Sequence, residues 1–146
     1  MITIPFLVGS VDRERLGYWA ERAAHATTWD ALDLVSRAYR ALSWEERAAG
    51  HFQNALRLAD LSRVDLVSVL AWLDLVVSSL RVAIERWEYT VEEIERAASP
   101  DWSALGVVRQ QISALQEAVF EIATYVLAQC EIHGLEVPEH CAAVAA

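Results

Sequence analysis

Glutamates concentrated in two neighbouring stretches are the first candidates for chemistry. Carboxylate oxygens are the ligands that Mg²⁺ prefers, and Mg²⁺ commonly bridges a protein to the phosphates of a substrate. If both stretches are helical, acids three or four residues apart share one helix face. The sequence therefore allows a magnesium site. The acids of the two stretches are Glu85, Glu88, Glu92, Glu93, Glu95, Glu117 and Glu121, and the candidate ligands are Glu88, Glu92, Glu95, Glu117 and Glu121.

The spacing of these acids resembles the ExxE…ExxD pattern of the MazG-type all-α nucleoside triphosphate pyrophosphohydrolases. Either Glu85-x-x-Glu88 or Glu92-x-x-Glu95 matches the first pair, and a second carboxylate pair follows 21–28 residues later. The resemblance implies a Mg²⁺-dependent enzyme that hydrolyses nucleoside triphosphates, with these carboxylates as metal ligands. The chain departs from the family pattern at the second pair, which is Glu117-x-x-x-Glu121.

A second candidate site lies near the C-terminus, where cysteines and histidines cluster. Cys130, His133, His140 and Cys141 form the pattern C-x2-H-x6-H-C and include both cysteines of the chain. Zinc binds four nitrogen or sulfur ligands in a tetrahedron, and this set could supply them. The alternative is that Cys130 packs as a small apolar residue, while His133 interacts with the negative end of a helix that stops at Gly134.

Hydrophobic periodicity predicts an all-α fold in one domain, residues 1–146. An extended arm is predicted over residues 1–9, because every second residue there is apolar. Three short helices are predicted over residues 10–61. The third begins at Ser43-Trp44-Glu45-Glu46, which has the capping-box pattern of a serine followed by a glutamate three positions later. Residues 134–146 are expected to form a C-terminal tail.

A long antiparallel helical hairpin is predicted over residues 62–133. Its helices cover about 64–97 and 101–133, and Ser99-Pro100 separates them, since proline ends one helix and suits the first turn of the next. In both helices apolar residues recur at alternating steps of three and four. The first series is Leu66, Leu70, Leu73, Val77, Leu80, Ile84, Trp87, Val91 and Ile94, and the second is Leu105, Val108, Ile112, Leu115, Val119, Ile122 and Val126.

The two series mesh in a single antiparallel register that pairs Val77 with Ile122. In this register Glu117 and Glu121 point away from the helix that carries the acids of residues 85–95. A metal site shared across the hairpin would need a different register. The register therefore favours a solvated acidic face over the enzyme.

A second apolar stripe on the first hairpin helix predicts self-association. Val69, Trp72, Val76 and Ala83 lie off the hairpin seam. The predicted N-terminal helices are short and rich in alanine, so they offer little volume to cover the stripe. Soluble monomers rarely expose large contiguous apolar patches, and two-fold pairing is the commonest way to bury one. We therefore expect a homodimer with these four residues at its interface.

Composition and charge argue against some classes of function. Twelve Arg, no Lys and twenty-one acidic residues give a net charge of −9, whereas gripping a nucleic-acid backbone requires positive charge. A membrane span is not expected, because Asp74 would lie in the middle of the most apolar stretch. Two cysteines suit a reducing compartment, so the expected location is the cytoplasm.

The sequence thus favours a non-enzymatic helical-bundle module for protein–protein interaction or assembly, self-associating and without a cofactor. The acidic stretch from Glu85 to Glu95 could also meet a partner with a basic surface. The alternative is the Mg²⁺-dependent pyrophosphohydrolase that the resemblance implies.

Overall fold

The computed structural model describes residues 13–59 and 65–145, and every regular element in these ranges is a helix. The all-α prediction is confirmed. The predicted arm at residues 1–9 lies outside the described residues. In chain order the helices are α1 (Arg13–Ala24), α2 (Trp29–Ala59), α3 (Leu66–Arg96), α4 (Trp102–His133) and α5 (Glu139–Ala145).

The N-terminal part differs from the prediction of three short helices, because α2 runs unbroken through the expected boundary at Ser43. The capping-box pattern there is not used as a cap. Glu45 instead points into the core, where its carboxylate accepts hydrogen bonds from Trp87 Nε1 (2.7 Å) and Gln111 Nε2 (2.8 Å). Leu42 and Ala48, on either side of the expected break, are both buried. Packing of one continuous apolar face therefore outweighs the local capping signal.

α3 lies at the centre of the fold and packs against α2, α4 and α5. Asp65 caps its N-terminus by accepting a hydrogen bond from the Val67 N–H at 3.0 Å. Its buried positions cover one broad face of the helix, and the exposed positions share the remaining face. The buried positions are Val69, Leu70, Leu73, Asp74, Val76, Val77, Ser79, Leu80, Ala83, Ile84, Trp87, Thr90 and Ile94.

α3 is also long and apolar enough, by length and composition alone, to cross a membrane. Half of its most apolar window is buried inside the chain by the neighbouring helices. The core helix of a soluble bundle meets the same criteria.

α4 begins and ends at defined caps. Asp101 accepts a hydrogen bond from the Ala104 N–H at 3.0 Å, and Gly134 ends the helix with the left-handed φ of 63°. The Leu135 N–H then donates to the Cys130 carbonyl at 2.9 Å, which is the usual closure of a helix that stops at glycine. Near the connection to α3, Arg109 Nη2 lies 3.0 Å from Glu95 Oε1, so a salt bridge joins the two helices there.

The C-terminal tail expected over residues 134–146 is instead a turn followed by the short helix α5. This helix packs on α3 and α4. Its N-terminal amides are capped by a residue distant in sequence: Asp74 accepts hydrogen bonds from the N–H groups of Cys141 (2.8 Å) and His140 (3.3 Å). The prediction missed α5 because its cap is supplied by another helix.

Candidate functional site

The five glutamates proposed as magnesium ligands are all exposed at the surface. Glu92 lies 3.7 Å from Arg96 and Glu95 lies 3.0 Å from Arg109, so both take part in salt bridges. Nowhere in residues 13–59 and 65–145 do three or more His, Cys, Asp or Glu side chains form a group that could hold a metal ion. Glu88, Glu92, Glu95, Glu117 and Glu121 therefore form a solvated, partly paired surface in this structure.

The C-terminal cysteines and histidines do not converge as the zinc pattern requires. Cys130 and Cys141 are buried, whereas His133 is exposed and His140 is half-buried. Burial raises the pKa of both thiols, and for Cys141 the neighbouring Asp74 raises the pKa further. Zinc binds thiolate, so these environments oppose the form of cysteine that the metal needs.

The stripe predicted as a dimer interface is covered within the chain. Val69, Val76 and Ala83 are buried, and Trp72 is half-buried with its ring centroid 5.5 Å from that of His51 on α2. The expectation of a bare stripe was wrong, because α2 is one helix of 31 residues rather than two short ones.

Two buried carboxylates were not recognised as structural from the sequence. Glu45 joins α2 to α3 and α4 through Trp87 and Gln111, and Asp74 joins α3 to α5. A buried charge is stable only when hydrogen bonds replace its lost water, and the described contacts do this for both groups. Asp74 had a detectable signal, since it is the single charge in an otherwise apolar stretch and must find a partner.

One end of the bundle combines the two most exposed tryptophans with a cleft, and we call it the tryptophan end. Trp29 is 87% exposed at the start of α2, and Trp102 is 67% exposed at the start of α4. A cleft of about 480 Å³ opens beside them, with Thr28, Asp30 and Asp101 among its lining residues. Each tryptophan is therefore next in sequence to at least one residue that lines the cleft.

The cleft of the tryptophan end has an apolar floor and a rim of mixed charge. Leu34, Val35 and Ile94 contribute to the floor. Both acidic and basic groups line the rim, and a salt bridge between Arg22 and Asp101 joins α1 to the start of α4. Arg22, His25, Asp30, Glu93 and Asp101 are the charged or titratable residues that line it.

A second concave surface lies at the opposite end, between α3 and the turn that leads to α5, and we call it the α3/α5 groove. Its volume is about 690 Å³. Val67, 54% exposed, and Leu75, 42% exposed, stand on the α3 wall. The other wall is formed by residues 135–139. The groove is mostly apolar, and its charged lining residues are Asp74, Glu136 and Glu139.

No known protein family, curated protein or solved structure matches this chain.

Proposed function

We propose that this chain is a non-enzymatic association module that forms a two-fold homodimer through the tryptophan end. The observation that carries the proposal is the exposure of Trp29 and Trp102 beside an apolar cleft. Tryptophan is strongly enriched among the residues that dominate the energy of protein interfaces. A pair of such side chains left in water at one end of a bundle is best accounted for by a partner that covers them.

A second copy is the partner that fits, because the tryptophan end is complementary to itself. In a two-fold contact each copy presents the same patch, so a protruding tryptophan of one copy meets the cleft of the other. Trp29 and Trp102 supply the protruding groups, and Leu34, Val35 and Ile94 supply an apolar floor to receive them.

The charges at this end also favour pairing of identical copies. The chain carries a net charge of −9, so most pairs of its faces would repel each other. The cleft rim is an exception, because Arg22 and His25 stand among its acids. Glu93 on the same rim lies 3.6 Å from Arg37, which offsets its charge. Arg22 also pairs with Asp101, so two copies that meet here repel each other less than most of their other faces would.

The hairpin register predicted from the sequence belongs to the same proposal, because it holds the ends of α2 and α4 in place. Two observations support this register. The connection between α3 and α4 is short, and the Glu95–Arg109 salt bridge lies beside that connection. Val77 and Ile122, which the register pairs, are both fully buried. We propose that α3 and α4 form the antiparallel hairpin on which the tryptophan end is built.

Substitutions at the tryptophan end test the proposal. In chromatography with light scattering, Trp29→Glu and Trp102→Glu should each shift the protein from dimer to monomer, because a charge at either position would be buried against the partner. Tyr39→Glu on α2 is the control, since Tyr39 is an exposed aromatic residue that neither lines the cleft nor adjoins a lining residue in the sequence. A mass unaffected by both tryptophan substitutions, with helix content retained, would contradict the proposed interface.

A further inference from the structure

We infer that the α3/α5 groove binds an amphipathic helix with basic residues, contributed by a different protein. This goes beyond self-association and concerns a surface at the opposite end of α3. Three features of the groove lead to it: a row of apolar side chains at helical spacing, walls held in place by hydrogen bonds, and a rim whose charge is of one sign.

The apolar row has the dimensions of a short helix contact. Val67, Ala71 and Leu75 follow one another at intervals of four on α3, so they form a ridge along one face. The ridge extends over nine residues, and its ends are eight steps apart, or about 12 Å at 1.5 Å per residue. Leu135 and Val137 face it from the other wall. A partner helix could place two or three anchors, at steps of three or four residues, between these walls.

The walls are already fixed in the free chain. Asp74 on α3 accepts hydrogen bonds from the His140 and Cys141 N–H groups, which secures α5 immediately after the groove wall. At the other end of the same wall, the Leu135 N–H donates to Cys130. A groove that does not have to order itself on binding loses less entropy, so more of the contact energy appears as affinity.

The charge of the rim selects a basic partner. Glu136 and Glu139 are exposed, and neither forms an ion pair with any residue that the structure describes. The carboxylate of Asp74 is occupied by the amides of α5. Among the described residues that line the groove there is no basic side chain. Lysine or arginine beside the anchors of a partner helix would therefore meet negative charge that no basic residue among those described offsets.

The same charge argues against a second copy in this groove. The chain is strongly acidic overall, and the rim lacks the arginine and histidine found at the tryptophan end. Two grooves brought face to face would place four exposed glutamates together. A basic helix of another protein is the occupant that agrees with both the shape and the charge.

The probe is a fluorescently labelled synthetic peptide of about 14 residues made of leucine and lysine, with the leucines at steps of three and four so that they share one face of a helix. A peptide with the same leucines and glutamate in place of lysine is its control. Anisotropy titrations with the full chain should show saturable binding of the lysine peptide, and binding of the glutamate peptide at least tenfold weaker. Equal binding of the two peptides, or no binding of the lysine peptide, would overturn the inference.

Variants then locate the binding and separate it from general attraction to an acidic protein. Leu75→Asp should weaken the lysine peptide about tenfold, and the double substitution Glu136→Gln/Glu139→Gln should weaken it several-fold and reduce its dependence on salt. Val67→Asp is a second groove variant should Leu75→Asp lose helix content. The matched controls are Tyr39→Asp for the apolar change and Glu117→Gln/Glu121→Gln for the charge change, and both should bind within about twofold of the unchanged chain.

Equal losses in the groove variants and in their controls would show non-specific attraction and overturn the inference. The result does not depend on the dimer. Trp29→Glu lies at the other end of the bundle and should bind the lysine peptide as the unchanged chain does. Loss of self-association and loss of peptide binding are therefore distinguishable.

Discussion

The carboxylate of Asp74 lies 2.8 Å from the backbone nitrogen of Cys141, a residue 67 positions later in the chain. Asp74 is only 8% exposed, so this contact replaces much of the water that its charge would otherwise bind. A single side chain of the central helix thereby fixes the C-terminal helix and one wall of the α3/α5 groove.

Replacing Asp74 by alanine should release α5 and destabilise the fold. Removal of the carboxylate leaves the His140 and Cys141 amides without their acceptor, and such a loss costs about 1–3 kcal/mol. Urea unfolding followed by circular dichroism measures this. Asp33→Ala is the control: Asp33 is exposed and pairs only with Arg37 four residues away among the described residues, so its loss should cost under about 1 kcal/mol. Equal costs would show that Asp74 is not a structural cap.

The central position of α3 predicts unequal effects for two leucines on the same helix. Leu80 is fully buried, and truncation to alanine should cost about 2–5 kcal/mol. Leu75 stands on the exposed groove wall, so Leu75→Ala should cost under about 1 kcal/mol. Chemical unfolding of both variants under the same conditions gives the comparison. Similar losses would contradict the placement of α3 between its neighbours.

Much of this architecture could be anticipated from sequence, and the errors have identifiable causes. The periodicity from Leu66 to Ile94 predicted one long helix over about 64–97, and α3 covers Leu66–Arg96. The predicted helix start at Ser43 was wrong. The Ser43-Trp44-Glu45-Glu46 pattern fits a capping box, but it also allows a glutamate to accept a hydrogen bond in the core. Only the positions of Trp87 and Gln111 reveal that Glu45 serves the second purpose.

The same limit applies to the surfaces. The sequence predicted that a second copy would cover the apolar stripe at Trp72, and it did not show that α2 lies against this stripe. The tryptophan end and the α3/α5 groove each draw residues from parts of the chain far apart in sequence. The spacing of apolar residues within one helix does not show which distant segments pack side by side. Neither surface could therefore be predicted.

The buried thiols predict a loss of stability at alkaline pH. Burial raises the pKa of Cys130 and Cys141 in the folded chain, so both stay protonated where the unfolded chain begins to ionise. The unfolded state then binds fewer protons, and the free energy of unfolding falls as pH rises above about 8.5. Urea midpoints at pH 7 and pH 9.5 should differ more for the unchanged chain than for Cys130→Ala/Cys141→Ala. An identical pH dependence would refute a contribution from the thiols.

Incubation with nucleoside triphosphates tests the alternative function that the acidic spacing implied. With Mg²⁺ or Mn²⁺ present we expect pyrophosphate release no greater than background, because the candidate ligands are exposed and Glu92 and Glu95 are engaged by arginines. Turnover that disappears in Glu92→Gln or Glu121→Gln would contradict this expectation and favour the enzyme.

Sedimentation equilibrium of the unchanged chain over a range of concentrations tests the central claim most directly. The dimer predicts a species of twice the 16.3 kDa chain mass at micromolar concentration, falling to the single-chain mass on dilution or in Trp29→Glu/Trp102→Glu. A species of 16.3 kDa that persists at several hundred micromolar would contradict self-association through the tryptophan end.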